Sequence, residues 1–132
     1  MKTAALFFPL TSAVIFVQSL TGAYTVLGFY YFEAHMTTGY VTGVFALLAM
    51  ILANVVKPKY NALRYSSMVL FVLVVIQGFL GFSAETSDQF VLFHFGNFLV
   101  LYGISIAMVF YAFRWSRMSA TQQQSRSGGQ TV

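Results

Sequence analysis

The chain holds two histidines, His35 and His94, and each stands seventeen residues after a glutamine, Gln18 or Gln77. Imidazole changes charge near neutral pH and is the commonest metal ligand among side chains. There is no cysteine, so disulfides, iron–sulfur clusters and thiolate metal sites are excluded. Chemistry that needs a nitrogen ligand or a neutral-pH acid and base therefore falls to these two rings. Their surroundings repeat as well. Val14-Ile15-Phe16-Val17-Gln18-Ser19-Leu20-Thr21-Gly22 lies over Leu73-Val74-Val75-Ile76-Gln77-Gly78-Phe79-Leu80-Gly81. Both segments read as an aliphatic run followed by Gln-x-x-x-Gly, and the offset of 59 residues carries Gln18, Gly22 and His35 onto Gln77, Gly81 and His94. A fixed offset of this size marks a duplicated supersecondary unit.

The elements that carry these residues follow from composition. Of 132 residues, 58% are hydrophobic and 8% charged, with a mean hydropathy of +0.75. That charge fraction is about a third of what a soluble domain carries, so the chain is expected in a bilayer rather than in water. Four apolar stretches are long enough to cross as helices, roughly 6–30, 34–56, 63–82 and 87–113. Pro9 is expected in the first turn of the first helix, where its missing N–H costs little. Lys57-Pro58 closes the second, and Thr86-Ser87-Asp88-Gln89 reads as a helix start with a capping box. The expected fold is an all-α transmembrane four-helix bundle of two parallel two-helix repeats, about 6–56 and 63–113. These form one domain over 1–114, and a Ser/Gln/Gly-rich tail over 115–132 is expected to be disordered. The first span is longer than the apolar region of a cleavable signal peptide.

The charges sort by side. Lys2, Lys57, Lys59, Arg64, Arg114, Arg117 and Arg126 fall at the N-terminus, in the loop between the second and third spans, and after the fourth. Glu33, Glu85 and Asp88 fall in the other two loops. The positive-inside rule then places both termini in the cytoplasm of a plasma or inner membrane. The net charge of +4 reflects this arrangement and is no nucleic-acid signature, since no basic cluster sits on a polar folded surface. A proton or ion transporter is disfavoured because no charged residue lies well inside a span.

Each repeat begins on the same side, so a pseudo-two-fold axis along the membrane normal relates them. His35 and His94 then open the two even-numbered helices at the same depth, on the extracytoplasmic side. They can point at one axis from opposite sides, as axial ligation of a heme iron requires. Gly39, Thr42, Gly43 and Ala46 make a small-residue stripe after His35. Gly22 and Gly81 share a helix face with the glutamines and are expected to leave room for a macrocycle edge. Gln18 and Gln77 are expected to face inward, where they can pair with each other across the axis. Tyr24, Tyr30, Tyr31, Tyr40 and Phe95 are expected around the outer site. The plainer readings are that the histidines cap helices, that Gly39 and Gly43 serve helix packing, and that the glutamines are interhelical glue.

A Gln-x-x-x-Gly element on an odd span, followed by a histidine opening the next, resembles the heme A synthase family over roughly residues 10–113. Gln18, Gly22 and His35 correspond to the first and second helices of one four-helix half of that family. Gln77-Gly78-Phe79-Leu80-Gly81 and His94 correspond to the third and fourth. The resemblance implies a half-size relative whose His35 and His94 face a heme pocket. The family's second helix carries Glu-x-x-His-Arg, whereas this chain has Glu33-Ala34-His35-Met36, with the acid one residue closer and no arginine. The family's paired loop cysteines are also missing.

The leading expectation is a b-type heme protein in the membrane, ligated by His35 and His94. It would bind the heme through Gln18, Gly22, Gly39, Gln77 and Gly81 and carry electrons as a small respiratory or oxidase-associated subunit. With both axial positions filled by protein, electron transfer is favoured over oxygen activation. Its partners would be membrane lipid, quinol or a respiratory-complex subunit. A compact heme A synthase-like enzyme, working as a homodimer, is the second expectation. A cofactor-free scaffold is the third.

Overall fold

The computed structural model describes residues 2–29, 32–55, 61–84 and 86–128. The chain is an all-α four-helix bundle: α1 Lys2–Val26, α2 Phe32–Val55, α3 Asn61–Ser83 and α4 Asp88–Gly128. Each of the four is long and apolar enough to cross a membrane. A bilayer explains why helices form here: with no water to bond to, backbone N–H and C=O groups must be satisfied within each segment. Short links make sequence neighbours antiparallel, and the helices close into a ring in which α1 packs on α2 and α4, and α3 on α4 and α2. Among the described residues the backbones of the diagonal pairs, α1 with α3 and α2 with α4, do not approach closely.

The turn after α1 falls earlier than the sequence pattern indicates. Gly28 takes a left-handed conformation, φ 86°, which costs a glycine nothing. The Phe29 N–H reaches the Tyr24 carbonyl at 3.1 Å and the Gly28 N–H reaches that of Thr25 at 3.1 Å. The two bonds make a Schellman motif, and the Tyr24 and Phe29 rings meet edge-on at 5.7 Å across it. At the α4 start, Ser87 Oγ accepts the Gln89 N–H at 3.3 Å and Asp88 lies in the first turn, both favourable at a helix N-terminus. Pro9 is not in the first turn of α1. The helix begins at Lys2, so the proline sits inside it, a placement that neighbouring helices make tolerable within a membrane. The expected disordered tail is also corrected. Helix α4 continues to Gly128 through residue types of good helix propensity such as Arg, Met, Ala and Gln. Residues 129–132 lie outside the described part.

The duplication is visible in the packing. On α2 the buried residues are Thr42, Ala46, Ala49 and Ala53. On α4 Leu101, Ser105, Met108 and Ala112 are buried, each 59 residues later. Phe8 and Thr11 on α1 likewise correspond to Ser67 and Leu70 on α3, all four buried. The hydroxyls among them bond back to their own helices: Thr11 to the Phe7 carbonyl at 3.0 Å, Thr42 to Thr38 at 2.8 Å, Ser67 to Arg64 at 2.7 Å and Ser105 to Tyr102 at 2.8 Å. Ser12 and Ser105 also join α1 to α4 at 3.0 Å.

All of this core lies toward the end that carries the chain termini. No described residue between Ile15 and Thr42, or between Leu70 and Leu101, is fully buried. The bundle is sealed at one end and only partly buried at the other. His35 and His94 stand in the partly buried half, each two turns before the first buried residue of its helix.

Because Ala53 and Ala112 are fully packed at matched positions, Ala53→Leu and Ala112→Leu should each destabilise the bundle by about 1–3 kcal/mol through overpacking. Leu92→Ala, at a side chain 68% exposed, should be near neutral. Thermal unfolding in detergent measures all three.

Candidate functional site

The site is two copies of one hydrogen-bonded clasp. In the second hairpin it can be oriented from a group whose role is fixed. The Leu73 backbone carbonyl is an acceptor, and it receives the Asn97 Nδ2–H at 3.0 Å. The same amide nitrogen donates to Gln77 Oε1 at 2.6 Å. The NH2 of Gln77 is thereby turned to His94 Nε2, 3.1 Å away, and that nitrogen must accept. The ring proton then sits on Nδ1, which donates to the Gln77 carbonyl at 3.1 Å. Gln77 thus holds His94 at both nitrogens, one through its side chain and one through its backbone.

The first hairpin repeats the pattern 59 residues earlier. Thr38 Oγ1, at the position of Asn97, hydrogen-bonds to Gln18 Oε1. The Gln18 amide nitrogen lies 3.4 Å from His35 Nε2, and His35 Nδ1 donates to the Gln18 carbonyl at 3.3 Å. Thr21 adds a hydroxyl 3.4 Å from His35 Nδ1 and 3.0 Å from Thr38 Oγ1. Position 80, its counterpart, is a leucine.

The two clasps bring the imidazoles together across the bundle, with ring centroids 6.1 Å apart and planes at 76°. The two histidines are thus paired, but edge-on rather than face to face. The expectation that Gln18 and Gln77 pair with each other does not hold. Each glutamine is engaged by the histidine of its own hairpin, because that ring lies on the antiparallel neighbour one helix spacing away. The glycines are also reassigned. A Cβ on Gly22 would lie 2.8 Å from His35 Cε1, and one on Gly81 3.1 Å from His94 Cε1. The space beside them is taken by the imidazoles, not kept for a macrocycle edge. A Cβ on Gly39 would come within 3.2 Å of Gln18 Nε2, while Gly43 has nothing in reach. The aromatic surround is only partly as expected. Tyr40 and Phe95 are 64% and 59% exposed, Tyr24 packs against Phe29, and Tyr30 and Tyr31 lie outside the described residues.

Thr38 and Asn97 complete the site, and the spacing of glutamines and histidines alone does not mark them. Carrying the alignment of the halves one turn past each histidine would, since both are polar residues three places beyond it in a small or apolar stretch.

Among the described residues no group of three or more His, Cys, Asp or Glu side chains gathers. A bare tetrahedral ion is therefore not provided for. A planar macrocycle that brings its own four nitrogens asks the protein for two axial ligands, and two metal–imidazole bonds of about 2 Å place the ring centroids roughly 6 Å apart. The pair meets that requirement in number, centroid spacing and tautomer, while each Nε2 is engaged by the glutamine amide of its own hairpin. Compared with protein-family models, with curated proteins and with solved structures, the chain finds no match.

Gly22→Ala and Gly81→Ala should each push an imidazole off its carbonyl, with the larger effect at Gly22, and cost about 1–3 kcal/mol. Gly78→Ala, with open space around it, should leave both rings in place. Nitrogen-15 spectra of the two histidines in folded protein measure the displacement.

Proposed function

We propose that this chain is a membrane b-type heme protein in which His35 and His94 are the axial ligands, and that it passes electrons within a respiratory or oxidase-associated assembly. The observation that carries this reading is the duplicated pair of rings 6.1 Å apart, each with its Nδ1–H bonded to a backbone carbonyl. An anchored Nδ1–H leaves Nε2 as the ligating nitrogen, fixes the ring's orientation and raises its basicity. Bound there, a heme would be held by His35 and His94 and would supply one-electron exchange. Gln18 and Gln77 hold the ligands, Gly22 and Gly81 give the rings their space, and no described residue of that half of the bundle is fully buried. Quinol or a neighbouring subunit is the electron partner in this reading.

The positive-inside rule supports a reading with the termini and the sealed end in the cytoplasm and the histidines at the opposite face. Kinship with heme A synthases belongs to the same proposal. An oxidising activity gains nothing from the site, since Glu33 is exposed and a bundle holds a single pair of histidines. One observation does favour a cofactor-free scaffold: each Nε2 already accepts from a glutamine amide, so the clasps are complete without a ligand.

A pyridine hemochrome assay on detergent-purified chain separates the two readings. Heme B at about one per chain, lost or spectrally changed in His35→Ala and His94→Ala, is expected. A colourless protein that tolerates both substitutions would establish the scaffold. The absence of cysteine permits a clean orientation test. A membrane-impermeant maleimide should label Thr86→Cys in intact cells and Thr121→Cys only after permeabilisation, and the reverse pattern would invert the topology.

A further inference from the structure

The two clasps differ in what holds the glutamine. Asn97 has two amide protons, and it gives one to the Leu73 carbonyl and one to Gln77 Oε1, so both bonds stand at once. Thr38 has a single hydroxyl proton. Its Oγ1 bonds to Gln18 Oε1, but it also lies 2.8 Å from the Ala34 carbonyl, 3.1 Å from that of His35 and 3.0 Å from Thr21 Oγ1. Four acceptors compete for one proton, and whenever one of the other three takes it, Gln18 Oε1 loses its donor. The amide-to-ring distances follow the same order, 3.4 Å at His35 and 3.1 Å at His94.

Any metal that binds Nε2 must first displace the amide that occupies it. We infer that the two histidines are unequal ligands: His35, loosely latched by Gln18, engages a heme first, and His94, locked by Gln77 and Asn97, is the exchangeable second ligand. Asn97 is then the positioning residue that sets how readily the second axial position closes. This rests on the heme reading and adds to it an order of ligation and a coordination site that opens on one side only.

The natural test exchanges the two donors, because each is already accommodated at the equivalent place in the other half. Full-length protein in detergent is titrated with hemin and followed by absorption and electron paramagnetic resonance. In the parent chain, His94→Ala should retain hemin in a five-coordinate, high-spin form, whereas His35→Ala should weaken binding about tenfold, the scale on which ligand supports act. Asn97→Thr should raise the six-coordinate, low-spin fraction, and Thr38→Asn should lower it. In the double variant Thr38→Asn/Asn97→Thr, His94→Ala should become the more damaging change. Histidine nitrogen-15 spectra of heme-free protein give an independent reading: the His94 ring should be a single Nδ1–H tautomer in the parent chain and a mixture in Asn97→Thr. Equal losses in the two histidine variants, or a donor exchange that leaves their order unchanged, would overturn the inference while leaving bis-histidine ligation standing. Failure of the parent chain to bind hemin would overturn both.

Discussion

An amide side chain inside an apolar helix has no water to turn to, so its partners must be built into the protein. Gln18 and Gln77 impose that constraint, and the half of the bundle away from the chain termini is arranged around it. Each needs an acceptor for its NH2 and a donor for its carbonyl oxygen. The antiparallel neighbour supplies both from adjacent turns, a ring nitrogen of His35 or His94 and a polar group three residues on. The glycine one turn beyond each glutamine follows, because the imidazole must lie against the glutamine's own helix to reach its carbonyl. The pairing of the two rings is therefore a by-product of two amides being satisfied, repeated by duplication.

The four spans, the 59-residue repeat and the pairing of the histidines were legible in the sequence because each leaves a long-range or compositional mark. The core was not. The helices are apolar on all sides, and a helix bathed in lipid gives hydropathy no contrast between inside and outside. Small and hydroxyl residues, Thr42, Ala46, Ala49, Ala53, Ser67, Ser105 and Ala112, share the inside with large ones such as Phe8, Leu70 and Met108, while Phe79, Phe82, Leu92 and Phe110 are exposed. Small and hydroxyl residues mark helix contacts in a membrane. The direction of the glutamines was missed for a related reason. Inwardness can be argued from cost alone, but the choice between a partner across the axis and one on the adjacent helix depends on helix spacing, which no pattern of residue types encodes. The end of α1 was misplaced because an aromatic run hides Gly28, whose left-handed backbone ends the helix.

Duplication preserved positions while identities drifted. Phe8 faces the interior where its counterpart is Ser67, Thr11 where it is Leu70, and Ala49 where it is Met108. Bulk removed from one helix is returned on another, the kind of exchange that close packing tolerates when total volume is kept. The same drift exchanged an amide for a hydroxyl at Asn97 and Thr38, and there the count of donatable protons changed along with the shape.

No bond of either clasp leaves its hairpin; α1 serves only α2, and α3 serves only α4. Each half thus arrives at assembly with its most expensive polar groups already settled. The chain severed in the link between α2 and α3 would yield two fragments that lose no clasp bond on separation and regain their shared core on meeting. An ancestral single hairpin would have met the same terms by pairing with its own twin.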